Sequence, residues 1–220
     1  MSNEQLIHVL VADDHAVLRE GIRQVLSNKH GFDVVAEAGN GAETLALAAE
    51  HKPDVVLLDI TMPGDSGLET AARLRADVPE ARILILTMHD RGEYVLEAVR
   101  AGAHGYVLKD APPSELRTAV KSVHDGLEYF SQAAAGKLND ALRNELVREQ
   151  QQFSLNTLTA REREVLALVA SGDTSKEIAE KLGISPRTVE SHRENVSRKL
   201  RIRSVAQLTR FAVDVGLVEA

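Results

Sequence analysis

Five apolar runs, at positions 6–12, 33–38, 55–59, 83–87 and 105–108, recur about every two dozen residues in the first half of this 220-residue chain. Between them lie amphipathic stretches such as AVLREGIRQVL and GAETLALAAEH. A run that is apolar throughout reads as a strand buried on both faces, and strands alternating with helices build a parallel sheet covered on both sides. The expectation is a doubly wound α/β domain of five parallel strands in the order 2-1-3-4-5. Such sheets bind ligands beyond the carboxyl ends of their strands, where the strand order reverses. The residues ending these runs are therefore the candidates for chemistry: Asp13 and Asp14, Asp59, Thr87 and Lys109.

The stretch VVLLDITMPGDSG makes the placement of Asp59 explicit. Met62-Pro63-Gly64 stops the strand, because proline has no N–H for the ladder and glycine favours a turn. With strands one and three as neighbours, Asp13, Asp14 and Asp59 converge. Three carboxylates that close resist ionising together, and a hard divalent cation such as Mg²⁺ resolves the conflict. Lys109 adds a second positive charge. A carboxylate nucleophile beside a cation and a lysine suits acceptance of a phosphoryl group, a transfer governed by positioning and charge neutralisation. Singly, each residue has a plainer reading, such as Asp13 or Asp14 capping a helix; their joint pattern favours phosphoacceptance.

Other chemistries lack their parts. An aspartate-nucleophile phosphatase needs a second acid two residues after the nucleophile, where Thr61 stands here, so the chain is expected not to be an enzyme. GNGAET at 39–44 lacks the third glycine of a dinucleotide loop, and no GxxxxGK[ST] is present. There is no cysteine, and the eight histidines show no metal-ligand spacing.

The set Asp13-Asp14, Asp59 in LLDITMPGDSGLE, Thr87 in LILTMHD and Lys109 in GYVLKD resembles the receiver domain of bacterial two-component response regulators, over roughly residues 6–127. The resemblance implies that Asp59 is the phosphoacceptor and that Mg²⁺ is held by Asp13, Asp14, Asp59 and the carbonyl of Thr61. It implies that Lys109 contacts the phosphoryl oxygens, that Thr87 swings to the phosphate and that Tyr106 rotates inward with it. A sensor histidine kinase would donate the phosphoryl group, and Thr61 and His89 would flank the site and influence its dephosphorylation. Where many receivers have proline after the lysine, this chain has Asp110.

Charge divides the chain. Residues 1–131 carry 12 basic and 21 acidic side chains, a net of −9, whereas 185–203 carry six basic against two acidic. An acidic front and a locally basic tail suggest two tasks, the second with nucleic acid. Residues 132–154 read as a helical linker with one apolar stripe at Leu138, Leu142 and Leu146, and with flexible stretches at 150–152 and 154–157. The domains expected are thus 1–131, this linker and 155–220.

In the tail, Thr159 and Glu162 form a capping box ahead of a helix that Gly172 ends. SKEIAEKL, a Leu-Gly-Ile-Ser turn and SPRTVESHRENVSRKL, with Ser185 as N-cap and Pro186 in the first helical position, read as helix-turn-helix. At 100° per residue Val189, Val196 and Leu200 share a core face, opposite Arg187, Glu190, Ser191, Glu194 and Arg198. A groove-bound helix reads bases from its exposed side while flanking groups hold phosphates. Glu190, Ser191 and Glu194 are candidate base readers; Thr174, Lys176, Arg187, Thr188, Arg193, Arg198 and Lys199 complete the candidate DNA contacts.

Residues 155–218 resemble the LuxR-type helix-turn-helix of NarL/FixJ response regulators, through LTAREREVLALVASG, SKEIAEKLGIS and TVESHRENVSRKL. The resemblance implies a phosphorylation-controlled regulator of transcription on double-stranded promoter DNA, a homodimer when active. In a last helix Val205, Leu208, Ala212 and Val215 are expected to face the bundle, leaving Ala206, Val213 and Leu217 as a second stripe suited to dimerisation. With no signal peptide and no membrane-length apolar segment in the sequence, the expected location is cytoplasmic, with no membrane partner.

Overall fold

The computed structural model describes residues 6–218. The chain falls into two compact units, Met1–Leu142 and Arg143–Ala220. In the first, strands β1 (Ile7–Ala12), β2 (Phe32–Ala38), β3 (Val55–Leu58), β4 (Arg82–Thr87) and β5 (Gly105–Leu108) alternate with helices α1 (Ala16–Val25), α2 (Gly41–His51), α3 (Gly67–Asp77), α4 (Gly92–Ala101) and α5 (Pro113–His124). The strands are parallel in the order 2-1-3-4-5, continued by a sixth, β6 (Tyr129–Phe130), against β5.

The sixth strand corrects the expected five. It has two half-buried residues, too few to show a period, and it is held by Tyr129 N–H to the His104 carbonyl (3.0 Å) and Ser131 N–H to the Tyr106 carbonyl (3.3 Å). Its pairing arises from what the end of α5 delivers beside β5, not from an apolar run of its own.

Successive residues of the central strands feed opposite cores. Leu10, Val56, Leu58, Ile83 and Ile85 pack with Ala48 of α2, Ala71 and Leu74 of α3 and Val95 and Ala98 of α4. Val9, Val11, Leu57, Leu84, Leu86 and Val107 pack with Ile22 of α1 and Leu116, Val120 and Val123 of α5. That double burial is why these strands read as unbroken apolar runs.

Helix α6 runs unbroken over Gln132–Asn156, so 150–152 and 154–156, expected to be flexible, are helical. The Ser154 hydroxyl donates to the Gln150 carbonyl (2.8 Å), and Leu155 is buried in the second unit's core. A buried anchor at its end orders a polar segment that has no apolar face of its own. Of the expected α6 stripe, Leu138 packs against the first unit's core, whereas Leu142 and Leu146 are 41% and 65% exposed.

The second unit adds α7 (Ala160–Ala170), α8 (Ser175–Leu182), α9 (Pro186–Leu200) and α10 (Val205–Asp214). Capping boxes at Thr159–Glu162 and Thr174–Glu177 start α7 and α8, and Ser185 caps α9 by accepting the Thr188 N–H. Val165 and Val169 of α7, Ile178 and Ala179 of α8 and Val189 of α9 form one cluster. Leu166, Val196, Leu208, Phe211 and Ala212 form another. Val205, expected to face the bundle, is 49% exposed, because it is the first residue of α10 and lies ahead of the turn that packs. Phe211 takes its place in the core, and Leu217 of the expected outer stripe packs against that core. Among the described residues no helix is long and apolar enough to cross a membrane.

Candidate phosphoacceptor site and nucleic-acid interface

β1 and β3 pair with Ala12 opposite Leu58, so Asp13 and Asp59 leave neighbouring strands side by side. The backbone continues the ladder one step, with Asp59 N–H donating to the Ala12 carbonyl at 2.9 Å. Both carboxylates are nearly fully buried, at 2% and 3% exposure. Lys109 N–H donates to the Thr87 carbonyl (2.9 Å), which ties the loop after β5 to the end of β4 and turns the lysine inward. Its ammonium lies 2.7 Å from Asp59 Oδ2 and 2.7 Å from Asp13 Oδ2. Burial alone would pull the Lys109 pKa down; its contacts with Asp13 and Asp59 outweigh burial and hold it above the usual lysine value.

Charge balance in the pocket is incomplete. One lysine ammonium faces two buried carboxylates, Asp13 and Asp59. Asp13, Asp14, His15 and Asp59 each bring one ligand atom within 4.8 Å of the others. Three acids beside one ammonium leave excess negative charge, which fits a small divalent cation with oxygen ligands. Asp13 and Asp14 do not cap α1. His15 occupies the cap position without a side-chain bond, and Asp13 Oδ1 accepts its N–H at 2.8 Å. His15 belongs to the acid cluster although the histidines show no ligand spacing, because the group is assembled by strand pairing and not along one helix.

Thr87, Tyr106 and Thr61 meet at His89. The His89 N–H donates to Thr87 Oγ1 (3.3 Å), its carbonyl accepts the Tyr106 hydroxyl (2.7 Å), and its Nε2 lies 2.9 Å from Thr61 Oγ1. The imidazole also stacks on Tyr94, 4.2 Å between centroids. The Tyr106 ring is fully buried, and burial first, then the charge of Asp90, pushes its pKa well above the ordinary phenol value. At the β3–α3 junction a β-carbon on Gly67 would lie 1.9 Å from the Asp59 carbonyl oxygen, so only glycine lets α3 start against the backbone of Asp59. No cis peptide occurs among the described residues, Asp110 following Lys109 in the trans form.

In the second unit α9 presents the expected faces. Val189 and Val196 are buried, Leu200 is partly so, and Arg187, Glu190, Ser191, Glu194 and Arg198 are exposed. Ser175, at the start of α8, donates its hydroxyl to Glu190 Oε1 and accepts from Arg193 at 2.8 Å, so Glu190 is held in a fixed pose. Thr174 caps α8, Thr188 gives its N–H to the Ser185 cap of α9, and Lys176 is exposed. Lys199 is committed within the domain: its ammonium pairs with Glu162 (2.6 Å) and donates to the Thr157 carbonyl (3.2 Å). Burial would raise the Glu162 pKa, but Lys199 and the Thr159 cap outweigh it and hold the pKa below the usual glutamate value. Arg193, Glu194 and Arg198 line one groove with two arginines that helix-face reasoning missed, Arg201 and Arg203, because both lie beyond the helix.

The family of response regulator receiver domains matches residues 9–121, and that of bacterial regulatory proteins of the luxR family matches 156–212. The oxygen regulatory protein NreC of Staphylococcus aureus is 41% identical over 218 residues, covering 96% of this chain and 99% of its own. Among solved structures, ChrA, the response regulator of a heme-sensing two-component system, is 32% identical with a TM-score of 0.55, covering 97% of this chain and 99% of its own. A LuxR-family response regulator from Aurantimonas is 36% identical with a TM-score of 0.60, covering 62% and 98%. With strand-end acids and lysine in one unit and a helix-turn-helix in the other, the chain belongs to the LuxR-type two-component response regulators, DNA-binding regulators of transcription and not enzymes.

Proposed function

We propose that Asp59 accepts a phosphoryl group from the phosphohistidine of a sensor kinase and that this modification controls promoter binding by the tail. The observation that carries the reading is a buried carboxylate held at 2.7 Å by a buried lysine that also meets a second buried acid at 2.7 Å. An Asp59 oxygen attacks phosphorus, the P–N bond breaks, and the imidazole, protonated at its other nitrogen, leaves neutral with the electron pair. Asp13, Asp14, Asp59 and the Thr61 carbonyl would hold Mg²⁺, which supplies charge neutralisation at the phosphoryl oxygens. Lys109 takes a phosphoryl oxygen, Thr87 turns its hydroxyl to the phosphate, and Tyr106 keeps its inward pose.

Residues 1–131 are assigned to the receiver, 132–154 to the linker and 155–220 to DNA binding, in a cytoplasmic protein that dimerises when active. Glu190, Ser191 and Glu194 read base edges; Thr174, Lys176, Arg187, Thr188, Arg193, Arg198 and Lys199 supply or support backbone contacts. Labelling with a radioactive phosphohistidine donor and Mg²⁺ tests the first step. Wild type is expected to label and Asp59→Asn to lose the label; a persistent label moves the acceptor elsewhere.

A further inference from the structure

We propose that Arg201 and Arg203, together with Arg198, form a phosphate anchor for duplex DNA beyond the reading face of α9; the proposal rests on the DNA-binding role of this helix. Arg201 caps α9 at φ 57°, ψ 31°, in the left-handed region. Helices α4 and α8 place glycine there, at Gly102 and Gly183. Glycine is the comfortable residue at such a cap, since a β-carbon is penalised in that conformation. Among the described residues only Lys52 and Arg201 are non-glycine residues with positive φ. Strained backbone of this kind gathers at functional positions.

The arginine is not held there by a partner. Neither Arg201 nor Arg203 makes an ion pair or a side-chain hydrogen bond among the described residues, and both are exposed. They line the same groove as Arg193, Arg198, Glu190 and Glu194, four cations against two anions. From Glu190 to Arg201 is eleven residues, about 16 Å along the axis at 1.5 Å per residue. The major groove is ~12 Å wide. A helix whose outward glutamates read base edges therefore carries its far-end arginines over the flanking phosphates. With two acidic readers on the helix, those arginines add attraction that offsets the glutamates.

A plainer account has the cations at this helix end serving only the helix dipole. The two accounts give different results when Arg201→Gly, Arg203→Gln and the double variant of the full chain, treated with acetyl phosphate and Mg²⁺, bind sheared genomic duplex DNA across a sodium chloride series. The expected result is about 3–10-fold weaker binding for each variant and a salt slope shallower by about one per arginine removed. The melting temperature of Arg201→Gly is expected to equal or exceed the wild-type value, so stability and affinity part company. Unchanged affinity and slope in the double variant would overturn the anchor, as would a lower melting temperature with unchanged binding. If wild type itself shows no salt-dependent binding, the DNA-binding role fails before the anchor is reached.

Discussion

Lys109 is a cation shared by two buried acids of the first unit. Its ammonium stands between Asp13 and Asp59 in a nearly dry pocket, 8% exposed. Removing one partner of a buried ionic group leaves the others uncompensated. Lys109→Met is expected to destabilise the metal-free receiver by about 3–5 kcal/mol, with much of the loss recovered by millimolar Mg²⁺, because a ligand that binds only the folded state stabilises it. Urea unfolding with and without the metal measures both. Glu162 plays the matching part in the second unit. Its folded-state pKa is lowered, so its contribution is fully present above the unfolded glutamate value and is lost as pH falls through the folded one. Stability of the tail is therefore expected to decline below about pH 4.5. Glu162→Gln is expected to flatten that decline and to cost about 1–3 kcal/mol at neutral pH, both read from unfolding curves across a pH series.

At the scale of elements, the β3–α3 junction is the tightest point. With the Asp59 carbonyl and the Ile60 Cα both under 3 Å from a β-carbon at Gly67, Gly67→Ala must push backbone and not a flexible side chain. The expected outcome is a loss of about 2–3 kcal/mol in stability, along with a marked drop in phosphorylation, since the displaced segment carries Asp59, the proposed acceptor. Strands β1, β3, β4 and β5 were legible because they are buried on both faces, and the Thr159–Glu162 capping box because its partners lie three residues apart; the boxes at Ser66–Glu69 and Thr174–Glu177 were missed although they share that spacing. The rest of what escaped depended on neighbours remote in sequence. β6 needs β5 beside it, and the last turns of α6 need Leu155 buried among α7, α9 and α10. In the site, Asp13, Asp59 and Lys109 could be read from strand ends. The Ser175–Glu190–Arg193 contact joins two helices whose crossing no local pattern specifies.

For the whole molecule the question is how an event at Asp59 reaches the tail. The loop after Thr87 is tied through His89 to Tyr106, and its next residue, Asp90, accepts from Lys137 of α6 at 2.5 Å. Gly92, which opens α4, lies so close to α6 that a β-carbon would sit 2.4 Å from the Lys137 carbonyl oxygen. Helix α6 then continues without a break into the second unit. The exposed Asp90–Lys137 pair is a weak tie. The backbone approach at Gly92 is the stiff one, so it is the better place to interrupt the route. Gly92→Ala is expected to leave phosphorylation of Asp59 intact while changing its effect on DNA affinity. In wild type the phosphoryl mimic beryllofluoride is expected to raise duplex affinity about 5–150-fold, the range of a coupling of about 1–3 kcal/mol. By reciprocity the duplex must raise beryllofluoride affinity by the same factor, and in Gly92→Ala both factors are expected to shrink together. Equal coupling in variant and wild type would show that the signal leaves the receiver by another face.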